Sequence, residues 1–393
     1  MNYIIGENNL TTLGYYRYNI DAMIKGYRDA PNGTNWLIYI DDGASPTLSR
    51  LYKASDGSVK EEIIKTYDDQ HSTDPDIMNQ VLKDAYTRYP ADSLGLILSS
   101  HANGSLYSNS SYKELNDIIS SWIQPYSFGS EAIVGNDNGN YSSSTPSYTM
   151  NITDLCEALT GIPYLHYIMF DACLMGNLET AYELKDYAHY MIAAPNSVPG
   201  AGFPYESVVS KLLRMDVYDL TNVINQYTTS YATNAYKWDN FASCGVYDLT
   251  KLSSFAQSFK QMLSENEGAL QRIASLKRAD MQLYEAETPT VTEYPDYPLY
   301  DIALLIDSIA PAETAAQLRQ QLRELIVQYA HLDYLSVSYD GETMILPYNS
   351  SRVCGLSTYI PPTDPYRESA LRKTLELSWY QDSGLSMSER YQP

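Results

Sequence analysis

Three features of the sequence predict an α/β fold built on a mostly parallel central sheet. Short apolar runs alternate with amphipathic helical patterns through the first half of the chain. The runs are apolar on successive residues, which suits strands covered by helices on both faces. Each run stops at turn-forming residues. Strand alternating with helix is the pattern of a doubly wound sheet, where function gathers at the carboxyl ends of the strands.

The first strand is Tyr3–Gly6, closed by Glu-Asn-Asn, and a helical pattern follows over 12–27. Trp36–Ile40 is the second strand, closed by Asp-Asp-Gly, with a helix over 75–88. Leu94–Ser99 runs into His-Ala-Asn-Gly, then helices over 113–122 and 151–160. Tyr167–Phe170 runs into Asp-Ala-Cys, then a helix over 176–188. Tyr190–Ala193 runs into Pro-Asn-Ser. Residues 206–236 read as helical and Phe241–Val246 as a sixth strand. A helix over 249–265 sets Leu252, Phe255, Phe259 and Leu263 in register. The acidic, Pro- and Tyr-rich stretch 284–300 reads as a linker or long surface loop. Helices over 301–309 and 311–330, a β-rich tail over 333–360 and a last helix over 365–378 complete the chain. The expected division is a core of residues 1–274 and a C-terminal α+β subdomain of 275–393 packed on it. The polar stretch 135–148 (GNDNGNYSSSTPSY), within the longer loop 125–150, is expected to be exposed and mobile.

Composition narrows the partners. The 393 residues carry 26 Lys plus Arg against 48 Asp plus Glu, a net charge of −22. Such a surface repels phosphate backbones and anionic lipid, so no nucleic-acid partner is expected, and cationic partners are favoured. Nothing in the sequence demands more than a monomer. Four cysteines, Cys156, Cys173, Cys244 and Cys354, are too scattered for a disulfide framework, and no CxxC pair suggests zinc. The 38 tyrosines against 6 phenylalanines are compatible with a secreted or cell-surface enzyme. No apolar run approaches the ~18 residues of a membrane-spanning helix. Met1–Leu10 lacks the basic and apolar regions of a signal peptide and reads as a strand in progress, so any targeting segment is expected to be missing from this chain.

Two strand ends carry candidate chemistry. His101 lies just beyond one apolar strand, and Asp171, Ala172 and Cys173 just beyond another. A thiol at a strand-to-helix turn near the positive end of a helix dipole is expected to favour thiolate. A neighbouring histidine can serve it as base and then protonate a leaving amine, and turn N–H groups can bind an oxyanion. Read alone, Cys173 is equally a small buried hydrophobe, His101 a structural histidine and Asp171 a helix cap. Cys156, Cys244 and Cys354 read as core, and His71, His166, His189 and His331 as surface or satisfied histidines.

Several strings together resemble the clostripain family of cysteine peptidases, of the caspase-like clan. They are Asn8-Asn9-Leu10 after the first strand, WLIYIDD, LILSSHANG, IMFDACLMGNLETAYEL, IAAPNSVPGAGFPY, GLSTYIPP and LSWYQDSG, in the family's order over nearly the whole chain. The resemblance implies a caspase-like αβα sandwich. It also implies a His101–Cys173 dyad that cleaves peptide bonds after Arg or Lys through a thioacyl-enzyme. Asp171 matches the acidic residue of the basic-side-chain pocket, and its charge would pair with such a residue. The loop Pro195–Tyr205 is expected to wall the cleft, with Asn196, Ser197 and Gly202 binding substrate. The N–H groups of Ala102 and Cys173 are the oxyanion candidates. The family usually has Gly where Ala102 stands, a cost if the turn needs positive φ.

Relatives are commonly processed between the His and the Cys. Here Lys113 is the only Lys or Arg in that interval, so an intact single chain is expected. No cofactor is expected. Some relatives depend on calcium, for which 136–140 (NDNGN) and Asp41-Asp42 offer oxygen atoms without an EF-hand's terminal carboxylate. The competing readings are a non-catalytic peptide- or partner-binding relative, and a cysteine peptidase with non-basic specificity should Asp171 cap the following helix. Export to the periplasm, cell surface or medium follows from the resemblance.

Overall fold

A computed structural model describes residues 1–68, 71–104, 128–132, 147–232, 241–277, 281–285, 298–334, 352–361 and 373–392. The expected helix over 113–122, Lys113, the string 136–140 and most of the 284–300 stretch lie outside these residues.

The strands form where expected at the centre. They are β1 (Asn2–Ile5), β2 (Trp36–Asp41), β5 (Gly95–Ser99), β8 (Leu165–Asp171) and β9 (Ala188–Ala193), all parallel to one another. Antiparallel strands extend both flanks. On one side lie β3 (Thr47–Lys53) and β4 (Val59–Thr66), and on the other β10 (Ser243–Asp248) and β12 (Ile326–His331). The nine-stranded order is β12-β10-β9-β8-β5-β1-β2-β3-β4. The sheet is therefore mixed, with a parallel centre. Strand order reverses at β1, so the crevice expected of a doubly wound sheet opens beside the ends of β1 and β5.

Alternation along the strands divides the core in two. Tyr3, Leu96, Leu98, Ile168 and Phe170 face one layer, and Ile4, Ile97, Tyr167 and Met169 the other. The second layer is closed by α2 (Tyr15–Gly26), α6 (Tyr205–Leu212) and α7 (Val217–Ala232), while α1 (Asn9–Thr12) turns the chain out of β1. The first layer is larger. It takes α3 (Pro75–Arg88), α4 (Ile152–Ala158), α5 (Leu178–Leu184), α8 (Leu252–Glu265), α9 (Glu267–Ala274), α10 (Ile302–Ile309), α11 (Ala312–Leu325) and α12 (Ser378–Asp382).

Four differences from the sequence reading have plain causes. The β3–β4 hairpin was not expected, because its outer strand is mostly exposed and gives no apolar run. Its turn is nevertheless legible: Asp56 accepts from Ser58 N at 2.9 Å and Gly57 takes φ +82°. The helical stretch 206–236 is broken between α6 and α7, where Met215 adopts φ +55°. The helix expected over 311–330 stops at Leu325, and Ile326–His331 pairs with β10 as an edge strand. The ends of the expected mobile loop pair as β6 (Phe128–Ala132) and β7 (Ser147–Met150).

The region after residue 274 reaches the centre of the molecule. Besides β12 it supplies the ribbon of β11 (Leu299–Asp301) and β13 (Ser357–Tyr359). Ser357 N donates to Gly176 O at 3.1 Å, so this ribbon grips the turn that follows Cys173. Buried Glu179 on α5 accepts from Thr358 Oγ1 at 2.7 Å, Tyr359 N at 3.0 Å and Tyr380 Oη at 2.8 Å. These bonds place Ser357, Thr358 and Tyr359 of the GLSTYIP string and Tyr380 of the WY string.

Candidate active site

His101 and Cys173 come from neighbouring parallel strands in register. Ser99 of β5 lies opposite Asp171 of β8, and each candidate stands two residues further on. The half-buried His101 presents Nε2 to Asn9 Oδ1 at 2.6 Å, and burial holds its pKa below the ordinary value for imidazole. Ala102 is buried and does not lie in the left-handed region, so the Gly-to-Ala difference there carries no backbone strain.

The thiol is held by the loop after β9. Val198 N donates to Cys173 Sγ at 3.3 Å, and the Ser197 hydroxyl bonds the same sulfur. Burial pushes the thiol up to about 11, Val198 and Ser197 oppose the shift, and the negative charges of Glu285 and Asp171 add to it. The helix-dipole expectation thus fails: α5 begins only at Leu178, it is seven residues long, and Asn177 caps it by accepting from Thr180 N at 2.8 Å. Burial therefore favours the neutral thiol over the thiolate at Cys173. The bond from Ser197 N to Glu285 Oε2, 3.0 Å, brings in a carboxylate from far along the chain.

The turn after Cys173 is strained and strapped. Leu174 takes φ +63°, which is unfavourable for a residue with a Cβ. Its N–H donates to Asn196 O at 3.0 Å and its carbonyl accepts from Asn177 Nδ2 at 2.9 Å. Gly176 N donates to Ala194 O at 2.7 Å, an approach with no room for a side chain. Asn196, expected to face substrate, is fully buried. Its Nδ2 donates to Phe241 O at 2.6 Å and its Oδ1 accepts from Ser243 Oγ, so it bears on the site through Leu174.

Asp171 follows Tyr167 and Met169 on the second-layer face and is 8% exposed. Tyr205 Oη donates to its Oδ2 at 2.8 Å, and Phe203 N–H is a second donor. Among the described residues no Lys or Arg pairs with it, and burial raises it to about 6. It does not cap α5, which removes the premise of the non-basic reading. Gly202, at φ +68°, is what lets the loop meet it: a Cβ there would stand 2.6 Å from one carboxylate oxygen and 2.7 Å from the other.

The remaining candidates have other partners. Cys244 is buried and Cys156 and Cys354 half-buried, and all are free thiols. Asp41 accepts from Ser72 Oγ at 2.6 Å. Among the described residues no three His, Cys, Asp or Glu side chains gather as a metal site. A cavity lined by Trp36, Tyr86, Tyr89 and Tyr167 lies at the amino ends of the strands, away from His101 and Cys173. No helix among the described residues is long and apolar enough to cross a membrane.

An αβα sandwich with a cysteine and a histidine on adjacent strand ends is the architecture of a caspase-like cysteine peptidase. The chain belongs to the Clostripain family, whose sequence profile matches residues 2–382. It is 24% identical to Clostripain of Hathewaya histolytica over 451 residues, 97% of this chain and 78% of the relative. Its fold is similar to a secreted C11 cysteine protease from Bacteroides thetaiotaomicron, solved with an irreversible peptide inhibitor. The TM-score is 0.79 and the identity 25%, over 98% of each chain. It is also similar to an inactive zymogen C11 protease from Parabacteroides distasonis, with TM-score 0.74 and 25% identity, over 97% of this chain and 96% of that one. The chain is a cysteine-type peptidase.

Proposed function

We propose that the peptidase cuts after Arg or Lys, with Cys173 as nucleophile and His101 as general base and acid. The observation that carries the specificity is Asp171: a buried carboxylate with two described donors and no described cation, against which Gly202 packs without a side chain. A guanidinium or ammonium group entering beside it supplies the missing charge and lowers its pKa.

Because burial favours the neutral thiol, attack and proton transfer are coupled. As Sγ bonds to the scissile carbonyl carbon, the thiol proton passes to His101 and the carbonyl oxygen becomes an oxyanion. The N–H groups of Ala102 and Cys173 are assigned to that oxyanion. Collapse breaks the C–N bond, and the His101 proton goes to the departing amine. Water, deprotonated by His101, then cleaves the thioester, releases the acid and returns the thiol. Ser197 and the Asn196 brace keep the sulfur and its turn in place, and Gly202 lets the loop pack on Asp171 without a side chain between them. These steps need no cofactor. The acidic surface speeds encounter with basic peptides. We assign the chain to an exported, monomeric enzyme that is active without a cut between His101 and Cys173. This agrees with the lack of basic residues there other than Lys113.

The test is a fluorogenic peptide panel with Arg, Lys, Asn, Asp and Ala before the reporter. Cleavage after Arg and Lys that vanishes in Cys173→Ala is expected. Cleavage surviving in that variant, or confined to Asn or Ala, overturns the nucleophile or the specificity respectively.

A further inference from the structure

We propose that Asn9 is the positioning residue of His101, completing an Asn9–His101–Cys173 array across three adjacent parallel strands. This rests on the reading of His101 and Cys173 as the reacting pair. In the sheet order, β5 lies between β8 and β1. Cys173 follows β8, His101 follows β5, and Asn9 follows β1. The imidazole thus has the nucleophile's strand on one side and Asn9's strand on the other.

The local sequence fixes this placement. Asn8 caps α1, its Oδ1 accepting from Leu10 N at 3.0 Å, and its Nδ2 donates to Ile5 O at 2.9 Å. Ser100 Oγ donates to the same carbonyl at 3.1 Å. The turn bearing Asn9 is thereby tied to the strand end bearing His101. With Asn8 occupied by backbone, Asn9 is left to meet the ring, Oδ1 to Nε2 at 2.6 Å.

The chemistry follows from the acceptor. An amide oxygen cannot donate, so it holds the imidazole hydrogen on Nε2 and leaves the lone pair on Nδ1. A neutral imidazole otherwise divides between two tautomers, one of which turns its N–H to where a base is needed. Asn9 selects the tautomer without adding charge. A carboxylate in its place would favour imidazolium and blunt the base. Burial, which already holds His101 below its ordinary pKa, works in the same direction.

The test combines spectroscopy with kinetics. Protein labelled with ¹⁵N-histidine, with the His101 signals assigned by His101→Asn, is expected to show the Nε2–H tautomer at pH 8. In Asn9→Ala the tautomers should mix, and kcat should fall about 10- to 100-fold with KM within about twofold. Asn9→Asp keeps the acceptor. It should recover part of kcat and move the acid limb of the kcat profile to higher pH. At saturating basic substrate Asp171 is engaged, so that limb reports His101. An Nδ1–H tautomer in the wild type overturns the proposal, as does Asn9→Ala with unchanged tautomer and kcat. Should Asn9→Ala fail to fold, the wild-type tautomer and Asn9→Asp decide. Full activity in His101→Ala or Cys173→Ala would instead sink the underlying assignment of the pair.

Discussion

Asp171 and Asp301 are both buried carboxylates at the ends of strands, and both accept from a tyrosine. Asp301 takes Tyr284 Oη at 2.6 Å, Cys354 N at 2.8 Å, Ala303 N at 2.9 Å, and Gly355 N and Leu304 N at 3.3 Å. Asp171 has only Tyr205 Oη and Phe203 N among the described residues. Asp301 caps α10 and ties it to the approach to β13, which is a structural task fully met. Asp171 is under-supplied beside the 195–205 loop, which suits the proposed role of a group waiting for a ligand. On the proposed reading, burial does not separate the structural acid from the functional one; the count of donors does.

The largest expected effect is on Asp171. Asp171→Ala should lower kcat/KM for Arg and Lys peptides about 10²- to 10³-fold, as expected for removing one partner of a desolvated pair. Stability should fall by less than in Asp301→Ala, because fewer donors are stranded. Equal losses on Ala-containing peptides would break the comparison by making Asp171 a general structural acid. The same group gives a pH limb. With its pKa at about 6, lowering the pH protonates Asp171 and removes the charge that recognises the cation. For basic peptides kcat/KM should therefore drop below about pH 6, and Asp171→Asn should lose that part of the profile.

Asp301→Ala should act on stability instead. It strands one hydroxyl and three N–H groups, Gly355 N keeping its bond to Tyr284 Oη, at a cost on the order of 3 kcal/mol in urea unfolding. A variant as stable as the wild type would show that the donors re-pair and that donor number is a poor guide. Gly202→Ala sharpens the comparison with a smaller change. Its Cβ meets Asp171 and its φ is unfavourable, so about 1–2 kcal/mol of stability should be lost together with basic-peptide cleavage. The smallest effect belongs to Glu285→Gln. Removing a negative charge near the thiol should lower its pKa and raise Cys173 alkylation at pH 8 about two- to fivefold. Slower alkylation would mean that Glu285 acts mainly by holding Ser197.

The parallel centre of the sheet was legible because its strands are apolar on both faces, and turn residues marked their ends. That same reading put His101 and Cys173 on strand ends before any register was known. The edges were less legible. β4 is exposed, and β12 continues an amphipathic helix without a break, although Ile326, Val327 and Tyr329 favour a strand. The site's tuning was least legible, since each partner comes from far along the chain: Tyr205 for Asp171, Glu285 for Ser197, Phe241 and Ser243 for Asn196. Only three-dimensional closure brings these together. It also explains why burial pushes up the pKa of a thiol expected to ionise readily.

The tyrosine-rich composition takes on a meaning in this light. Tyr205, Tyr284 and Tyr380 each donate a phenolic hydroxyl to a buried acid, Asp171, Asp301 and Glu179. Most proteins would neutralise some of those acids with lysine or arginine. For an enzyme with the proposed specificity, each such residue is also a potential cut in its own backbone. A scaffold that solvates its interior acids with 38 tyrosines to draw on, and carries only 26 basic residues, offers fewer points at which copies of the enzyme could digest one another.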